Sequence, residues 1–403
     1  MRIAAKVKIR VKRWGLYGAL ASVMLYACVG ETAAAATCEI SPTGGKPTIQ
    51  LDTVPTISAT DDLPVGTVLF RGRLNAVNGT SLISIVECYI PSGTGTETVS
   101  LELRNRVANG VLVGSDDYTY QTSVPGIGVR YYLLGHYVTS TLEAIADQSS
   151  LDGVQATATL TGTERKKFFT TGNLHRRNLT FMLVKTGPVA PAALNALTLP
   201  RVEFSVHSIG GTVNKLPARY MIINFAGNVN ITAPTCTTPA RVDVDLGSYT
   251  ASQISAATPT PWKDASIRLT NCQKFTGYQN KGDSKFDQAQ ISGSYTVGPT
   301  TFAAYTNNVL GVTLNGNQGN LDSAKGIVAT KGGVGQAEGI AVQVSKGGSA
   351  NLPVSLGSEY TQTLANNGAA SIVIPLSARL IATGKPVKAG NVSAQVTYTI
   401  NYK

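Results

Sequence analysis

The chain closes with Gly390-Asn-Val-Ser-Ala-Gln-Val-Thr-Tyr-Thr-Ile-Asn-Tyr-Lys403. From Val392 onward the alternation is unbroken: Val392, Ala394, Val396, Tyr398, Ile400 and Tyr402 fall on one face, and Ser393, Gln395, Thr397, Thr399, Asn401 and Lys403 on the other. Side chains alternate across a strand with period two, so the spacing predicts a single half-buried β-strand of roughly 40 Å. No turn or capping sequence follows it.

Working outward from this strand, the 403-residue chain suits two domains of ordinary size. Hydrophobic residues make up 43% and charged residues 14%, with 41 glycines, which is the mixture of a turn-rich globular protein and excludes a disordered or coiled-coil chain. The formal charge of +11 invites a nucleic-acid partner, but much of it lies at the N-terminus. Arg2, Lys6, Lys8, Arg10, Lys12 and Arg13 precede an apolar run over 15–30 and the exit Glu31-Thr-Ala-Ala-Ala-Ala36. A basic segment, an apolar core and an Ala-x-Ala exit make a secretory signal peptide, 1–36, with cleavage expected after Ala36. Its removal takes away six positive charges and one negative, so +11 becomes +6. No basic cluster with interleaved aromatics remains, and nucleic acid is not an expected partner. Leu25-Tyr-Ala-Cys28 offers the rival of lipoprotein processing, in which Tyr26 fits poorly.

Removal of Cys28 with the leader leaves Cys38, Cys88, Cys236 and Cys272. Four cysteines allow three pairings. The split Cys38–Cys88 and Cys236–Cys272 keeps each bridge inside one half, and an oxidising periplasm permits both. Loops of some 35 to 50 residues would each stabilise by about 4 kcal/mol in the chain-entropy model. Zinc is the alternative, against which stand the absence of CxxC pairs and only three scattered histidines.

The first half reads as short strands separated by turns. Asn78-Gly79 and Asn109-Gly110 each separate two apolar runs, the strongest short hairpin signal. Strands are expected over 81–90, 99–107, 129–137, 179–185 and 202–207, with almost no helical pattern. That spacing implies an antiparallel sandwich or barrel. Asn228-Val-Asn-Ile-Thr-Ala-Pro-Thr-Cys236 reads as the junction, because Pro234 interrupts pairing just before a cysteine that opens a new series of strands.

The glycine fourteen residues from the end, the alternating strand and the penultimate tyrosine resemble the C-terminal signature of chaperone–usher pilus subunits. The segments 241–247, 265–272, 337–344 and 371–380 are similar to pilin strands in pilin order, so the resemblance spans 233–403. It implies an immunoglobulin-like sandwich that lacks its last strand. Gly390, Val392, Ala394, Val396, Tyr398, Ile400 and Tyr402 would then receive a periplasmic pilus chaperone and, at an outer-membrane usher, the donor strand of the next pilus subunit by β-augmentation. Asp62-Leu-Pro-Val-Gly-Thr-Val68, Cys88 after a hairpin and Val124-Pro-Gly-Ile-Gly-Val-Arg130 are similar to two-domain fimbrial tip adhesins, nearer the type 3 than the mannose-binding type 1 kind. By that analogy the first half is a lectin-like receptor-binding domain. In the type 1 adhesin, polar residues after the second cysteine contact mannose; here Tyr89, Ile90 and Pro91 hold that place, which argues against mannose.

No catalytic constellation emerges: there is no GxSxG elbow, P-loop or HExxH motif, and no cofactor or metal is implied. For receptor binding, Asp116-Asp117-Tyr118-Thr-Tyr120 is the richest stretch. A strand would place Tyr118 and Tyr120 on one face beside two carboxylates, which suits a sugar; the competing reading has both rings capping a sandwich core. His175-Arg176-Arg177 is the second candidate, suited to sulfated or sialylated glycans or an acidic protein surface, against a plain solvated loop. Tyr131-Tyr132 is expected to straddle the sandwich, one ring in and one out. The whole reads as an all-β chain of two tandem β-sandwich domains. These are an adhesin domain over 37–227, a linker over 228–235 and an incomplete pilin domain over 236–403. Thr37-Cys38 leaves no room for a donor extension, which points to the tip of a fibre at the bacterial surface. The expected receptor is a host glycan or an extracellular-matrix protein. A non-binding tip initiator and a secreted carbohydrate-active enzyme are the alternatives.

Overall fold

The computed structural model describes residues 34–40, 48–77, 84–133, 135–145, 155–170, 179–254, 258–291, 294–301, 304–347 and 352–403. Among these the chain is all-β, with only two short 3-10 turns. The strands of five or more residues are numbered in chain order. In the first half they are β1 (Ala36–Ile40), β2 (Val68–Val77), β3 (Ser84–Tyr89), β4 (Thr96–Ala108), β5 (Ile127–Leu133), β6 (Gln155–Thr161), β7 (Arg165–Thr170), β8 (Thr180–Lys185), β9 (Arg201–Gly210), β10 (Ala218–Ala226) and β11 (Asn228–Thr232). In the second half they are β12 (Gln279–Ile291), β13 (Ser294–Thr301), β14 (Val309–Gly316), β15 (Ile340–Lys346), β16 (Leu376–Ala382) and β17 (Val396–Tyr402).

The first half is a sandwich because its long strands alternate. Along β4, Val99, Leu101, Leu103 and Val107 are buried while Thr98, Ser100 and Arg106 face outward. One face runs β6/β4–β9–β10, and the opposing face runs β2–β8–β5. Aromatic rings join them: Phe225 of β10 lies 5.6 Å from Tyr131 of β5 and 5.5 Å from Phe181 of β8. Such pairs contribute about 0.5–1.5 kcal/mol each beyond their area. Tyr131 is fully buried and donates its hydroxyl to the Pro200 carbonyl at 2.6 Å, whereas Tyr132 is half-buried, so the pair does straddle the sheet. A smaller sheet, β7–β3–β1, carries the first disulfide. Cys38 and Cys88 sit directly opposite in β1 and β3. The second bridge is Cys236–Cys272, so each disulfide closes within one half. Ala36 is itself buried and pairs with Val213, so cleavage after it would trim one residue from β1.

Two apolar cores form. One draws its buried residues from 36–231, the other from 254–380. The connector is shorter than its proline suggests. Asn228–Thr232 is a strand, paired with Ala192–Asn195 and with Ile57–Ser58, because Val229 and Ile231 alternate into the first core. The halves also interlock. Tyr278 packs against the first core, and the β12–β13 hairpin lies alongside β2, with β12 parallel to it. Pairing of this kind covers an edge that would otherwise stay open.

In the second half β16 and β15 pair along their length, and β14 lies between Tyr360–Thr363 and β17. The terminal strand is seven residues long, shorter than its sequence alternation. Residues 391–393 leave the ladder and bond to another loop: Asn391 exchanges backbone bonds with Gly335 and Ala337, and Ser393 accepts from Lys331. Val392 is consequently exposed. Gly390 makes this crossing possible, since a Cβ there would lie 2.4 Å from the Ala337 nitrogen.

Removing the Tyr131 hydroxyl leaves the Pro200 carbonyl buried without its partner. Tyr131→Phe is therefore expected to lower stability by about 1–3 kcal/mol. Tyr132→Phe should stay within about 0.5 kcal/mol of wild type. Denaturant unfolding of the two variants checks this.

Candidate functional site

The floor of one broad recess is built by β15 and β16, whose Ile340, Val342, Val344, Leu376, Ala378 and Leu380 all turn one way into the second core. One wall is β17 with the bend before it, and the other is the segment 240–251. Between them lies a groove of about 1000 Å³. On the β17 wall, Ala394, Val396, Tyr398 and Ile400 are half-buried while Gln395, Thr397 and Thr399 are exposed, so the predicted two-faced strand is present from 394 onward. The opposite wall alternates in sequence too, with Val244 and Leu246 half-buried between exposed neighbours, yet 241–250 joins no ladder. The expected strand over 241–247 is absent for a geometric reason: the groove separates the segment from β17. The Tyr398 hydroxyl donates to the Pro239 carbonyl and so ties the two walls together.

On its other side β17 pairs with β14, from Gly316↔Val396 to Leu310↔Tyr402. Tyr402 stacks on Phe275 with ring centroids 5.8 Å apart. Of the seven terminal residues singled out from sequence, Ala394, Val396, Tyr398, Ile400 and Tyr402 pack on the core. Gly390 serves the crossing, and Val392, 37% exposed, lines the groove without packing on the core.

The receptor candidates in the first half are arranged differently from the reading of a strand. Asp116 is the centre of a turn. One of its oxygens accepts from the Thr119 N–H at 2.6 Å and the Tyr118 N–H at 3.2 Å; the other accepts from the Thr119 hydroxyl at 2.7 Å and from Arg130 at 3.2 Å. Burial alone would raise this carboxyl. The bonds from Thr119 and Tyr118 and the Arg130 charge outweigh it and hold the group below the usual aspartate range. Because 116–119 is a turn, period two does not apply across it. Tyr120 begins a short strand and is wholly buried, its hydroxyl placed against the carbonyls of Asp117 and Val138. Burial pushes that hydroxyl up to about 12. Tyr120 is core and offers a receptor nothing.

Tyr118 instead stacks on Tyr137, 4.0 Å between centroids and 5° from parallel, with Tyr132 edge-on to Tyr137 at 5.3 Å. The Arg130 guanidinium lies 5.2 Å from the Tyr118 ring centre. Beside this stack Asp117, His136, Glu143 and Asn105 line a recess of about 220 Å³. That is below the roughly 300–1000 Å³ of pockets that engulf a small molecule, so it suits one protruding group. Tyr137, His136 and Glu143 were missed from sequence; the signal available was the polar, aromatic run His136-Tyr137 at the turn after β5. His175, Arg176 and Arg177 lie outside the described residues. A further recess of about 240 Å³ is lined by Arg106, Glu203, His207 and Arg219. There Glu203 accepts from both guanidiniums, at 3.0 Å and 2.7 Å. Among the described residues no cluster of histidine, cysteine and carboxylates could hold a metal.

Residues 223–403 match the family described as fimbrial protein. No curated protein matches the chain. Among solved structures, the CupB6 tip adhesin of Pseudomonas aeruginosa is 15% identical, covering 90% of this chain and 94% of its own with a TM-score of 0.30. The receptor-binding domain of the plasmid-borne adhesin MrkD1P of Klebsiella pneumoniae is 19% identical, covering 50% of this chain and 98% of its own, TM-score 0.26. The CsuC–CsuE chaperone–tip adhesion subunit pre-assembly complex of Acinetobacter baumannii gives 12% identity, coverage of 90% and 99%, and a TM-score of 0.24.

The depressed Asp116 carboxyl stabilises its turn at neutral pH. Its contribution is present above the unfolded aspartate value of about 3.9 and is lost as pH falls through the lower folded value. NMR of Tyr118 and Thr119 amides should show the turn loosening only below that range. Asp116→Asn should show it loosened at every pH.

Proposed function

We propose that the chain, whose segment 223–403 carries a fimbrial-protein domain, is the tip adhesin of a chaperone–usher fimbria. Its second half accepts a strand from outside, and its first half binds a host glycan or matrix protein. The observation that carries this reading is the combination of an apolar groove of about 1000 Å³ with a terminal strand that, among the described residues, is paired on one side only. A sandwich in this state leaves backbone groups of its edge strand without partners beside an apolar groove, and an extended segment satisfies both at once. The occupant is the donated strand, first from a periplasmic chaperone and then from the next subunit. Export follows from the leader over 1–36, with assembly at an outer-membrane usher and display at the bacterial surface. The protein acts as a binding and structural component without catalysis.

For the receptor, the Tyr118–Tyr137 stack beside Asp117, His136 and Glu143 supports a sugar. Ring faces pack against the apolar face of a pyranose while carboxylates accept its hydroxyls.

Placing a charge on the groove side of β17 puts an unpaired carboxylate into the contact, which costs several kcal/mol. Ile400→Asp should reach the periplasm but be degraded there and not reach the surface. Thr399→Asp, on the exposed face, should be displayed like wild type. Equal display of the two would sink the assembly role of β17. For the receptor, the full chain is tested on a glycan and matrix-protein array beside Tyr137→Ala. Loss of the glycan signal in the variant is expected. An unchanged signal places the receptor elsewhere, and glycan turnover would favour an enzyme.

A further inference from the structure

The inference rests on the reading of β17 as an acceptor strand and concerns where an added strand must end. The parity of the β14–β17 ladder is set by three backbone bonds. Val309 N–H donates to the Lys403 carbonyl at 2.6 Å, Lys403 N–H to the Val309 carbonyl at 2.9 Å, and Asn317 N–H to the Gln395 carbonyl at 2.9 Å. Bonded pairs alternate in an antiparallel ladder. The odd-numbered residues of β17 therefore turn their backbone groups to β14, and Val396, Tyr398, Ile400 and Tyr402 turn theirs to the open edge.

One of those open-edge groups is taken. The Tyr402 N–H donates to Asp62 Oδ2 at 2.7 Å, across a separation of 340 residues. Asp62 belongs to the first half, and its loop is anchored. The buried Lys185 ammonium donates to the carbonyls of Thr60, at 2.6 Å, and Asp61. Ser58, at the head of the same loop, bonds through its N–H to the Gly277 carbonyl at 2.9 Å and through its hydroxyl to Thr276 at 2.7 Å. The carboxylate is thus held against the end of β17 by contacts on both halves.

We propose that Asp62 is a register stop: a strand added to β17 pairs beside Val396, Tyr398 and Ile400 and ends where the first half occupies Tyr402. The need for such a stop follows from the pleat. A one-residue slip turns every apolar side chain of the added strand away from the groove and is opposed strongly. A two-residue slip keeps the apolar face inward, so alternation does little to prevent it. An occupied terminal amide does, because a charge-assisted bond is about twice as strong as the neutral peptide bond that would replace it. Register in the second half is in this way dictated by a residue of the first.

The test uses the full chain and a twelve-residue alternating Thr-Val peptide carrying a nitroxide at one end, with amide exchange and paramagnetic broadening read by NMR. Asp62 is exposed, so Asp62→Ala leaves the fold intact. Without peptide, the Tyr402 amide should exchange about tenfold faster in Asp62→Ala than in wild type. With peptide, the Val396, Tyr398 and Ile400 amides should gain protection in both proteins, and the Tyr402 amide only in the variant. The nitroxide should broaden one set of neighbours in wild type and sets offset by two residues in Asp62→Ala. Asp62→Asn, which keeps an acceptor, should fall between them. A single register retained in Asp62→Ala, or equal Tyr402 exchange without peptide, overturns the stop while leaving the acceptor strand standing. Absence of protection at Val396, Tyr398 and Ile400 overturns the acceptor reading and the stop with it.

Discussion

Backbone amides and carbonyls must be paired when buried, and among the described residues β17 pairs on one side, with β14. Much of the second half is arranged around that shortfall. β15 and β16 supply a floor of aliphatic side chains, the bend at Gly390 delivers the strand to its edge position, and Tyr398 spans to Pro239 to hold the far wall. The wall segment 241–250 keeps the alternation of a strand but joins no ladder. The groove lies between this segment and β17.

The two halves are joined more intimately than two beads on a string. β11 completes a sheet of the first half, and the β12–β13 hairpin of the second is laid alongside β2. Loop 57–62 is bonded at Ser58 to 276–277 and at Asp62 to the last strand. These ladder and side-chain bonds tie the geometry of the groove to the first half. Pro234 marked 228–236 as the junction, and alternating Val229 and Ile231 decide that the chain still pairs up to Thr232.

In the first half the charge arrangement is directed at shaping a turn. Asp116 uses both oxygens within its own loop and draws Arg130 over the Tyr118 ring, which orients that ring onto Tyr137. Asp116 is the support of the aromatic stack, and Asp117, His136 and Glu143 line the recess beside it.

Period-two alternation made the all-β class and the two-faced terminal strand legible in advance, because it depends on neighbours in the chain, while two cysteines in each half pointed to the two disulfides. The same logic put Tyr118 and Tyr120 on one face and failed there: the hydrogen bond that the Asp116 carboxylate accepts from the Thr119 N–H replaced the pleat with a turn, and burial took Tyr120 into the core. Val392 lies outside the ladder because 391–393 bond to another loop, yet it still lines the groove. The stack of Tyr118 on Tyr137 and the hand of Asp62 on Tyr402 were beyond the reach of any local pattern. They join residues from different strands and different halves, and only the packing of the sheets brings such groups within bonding distance.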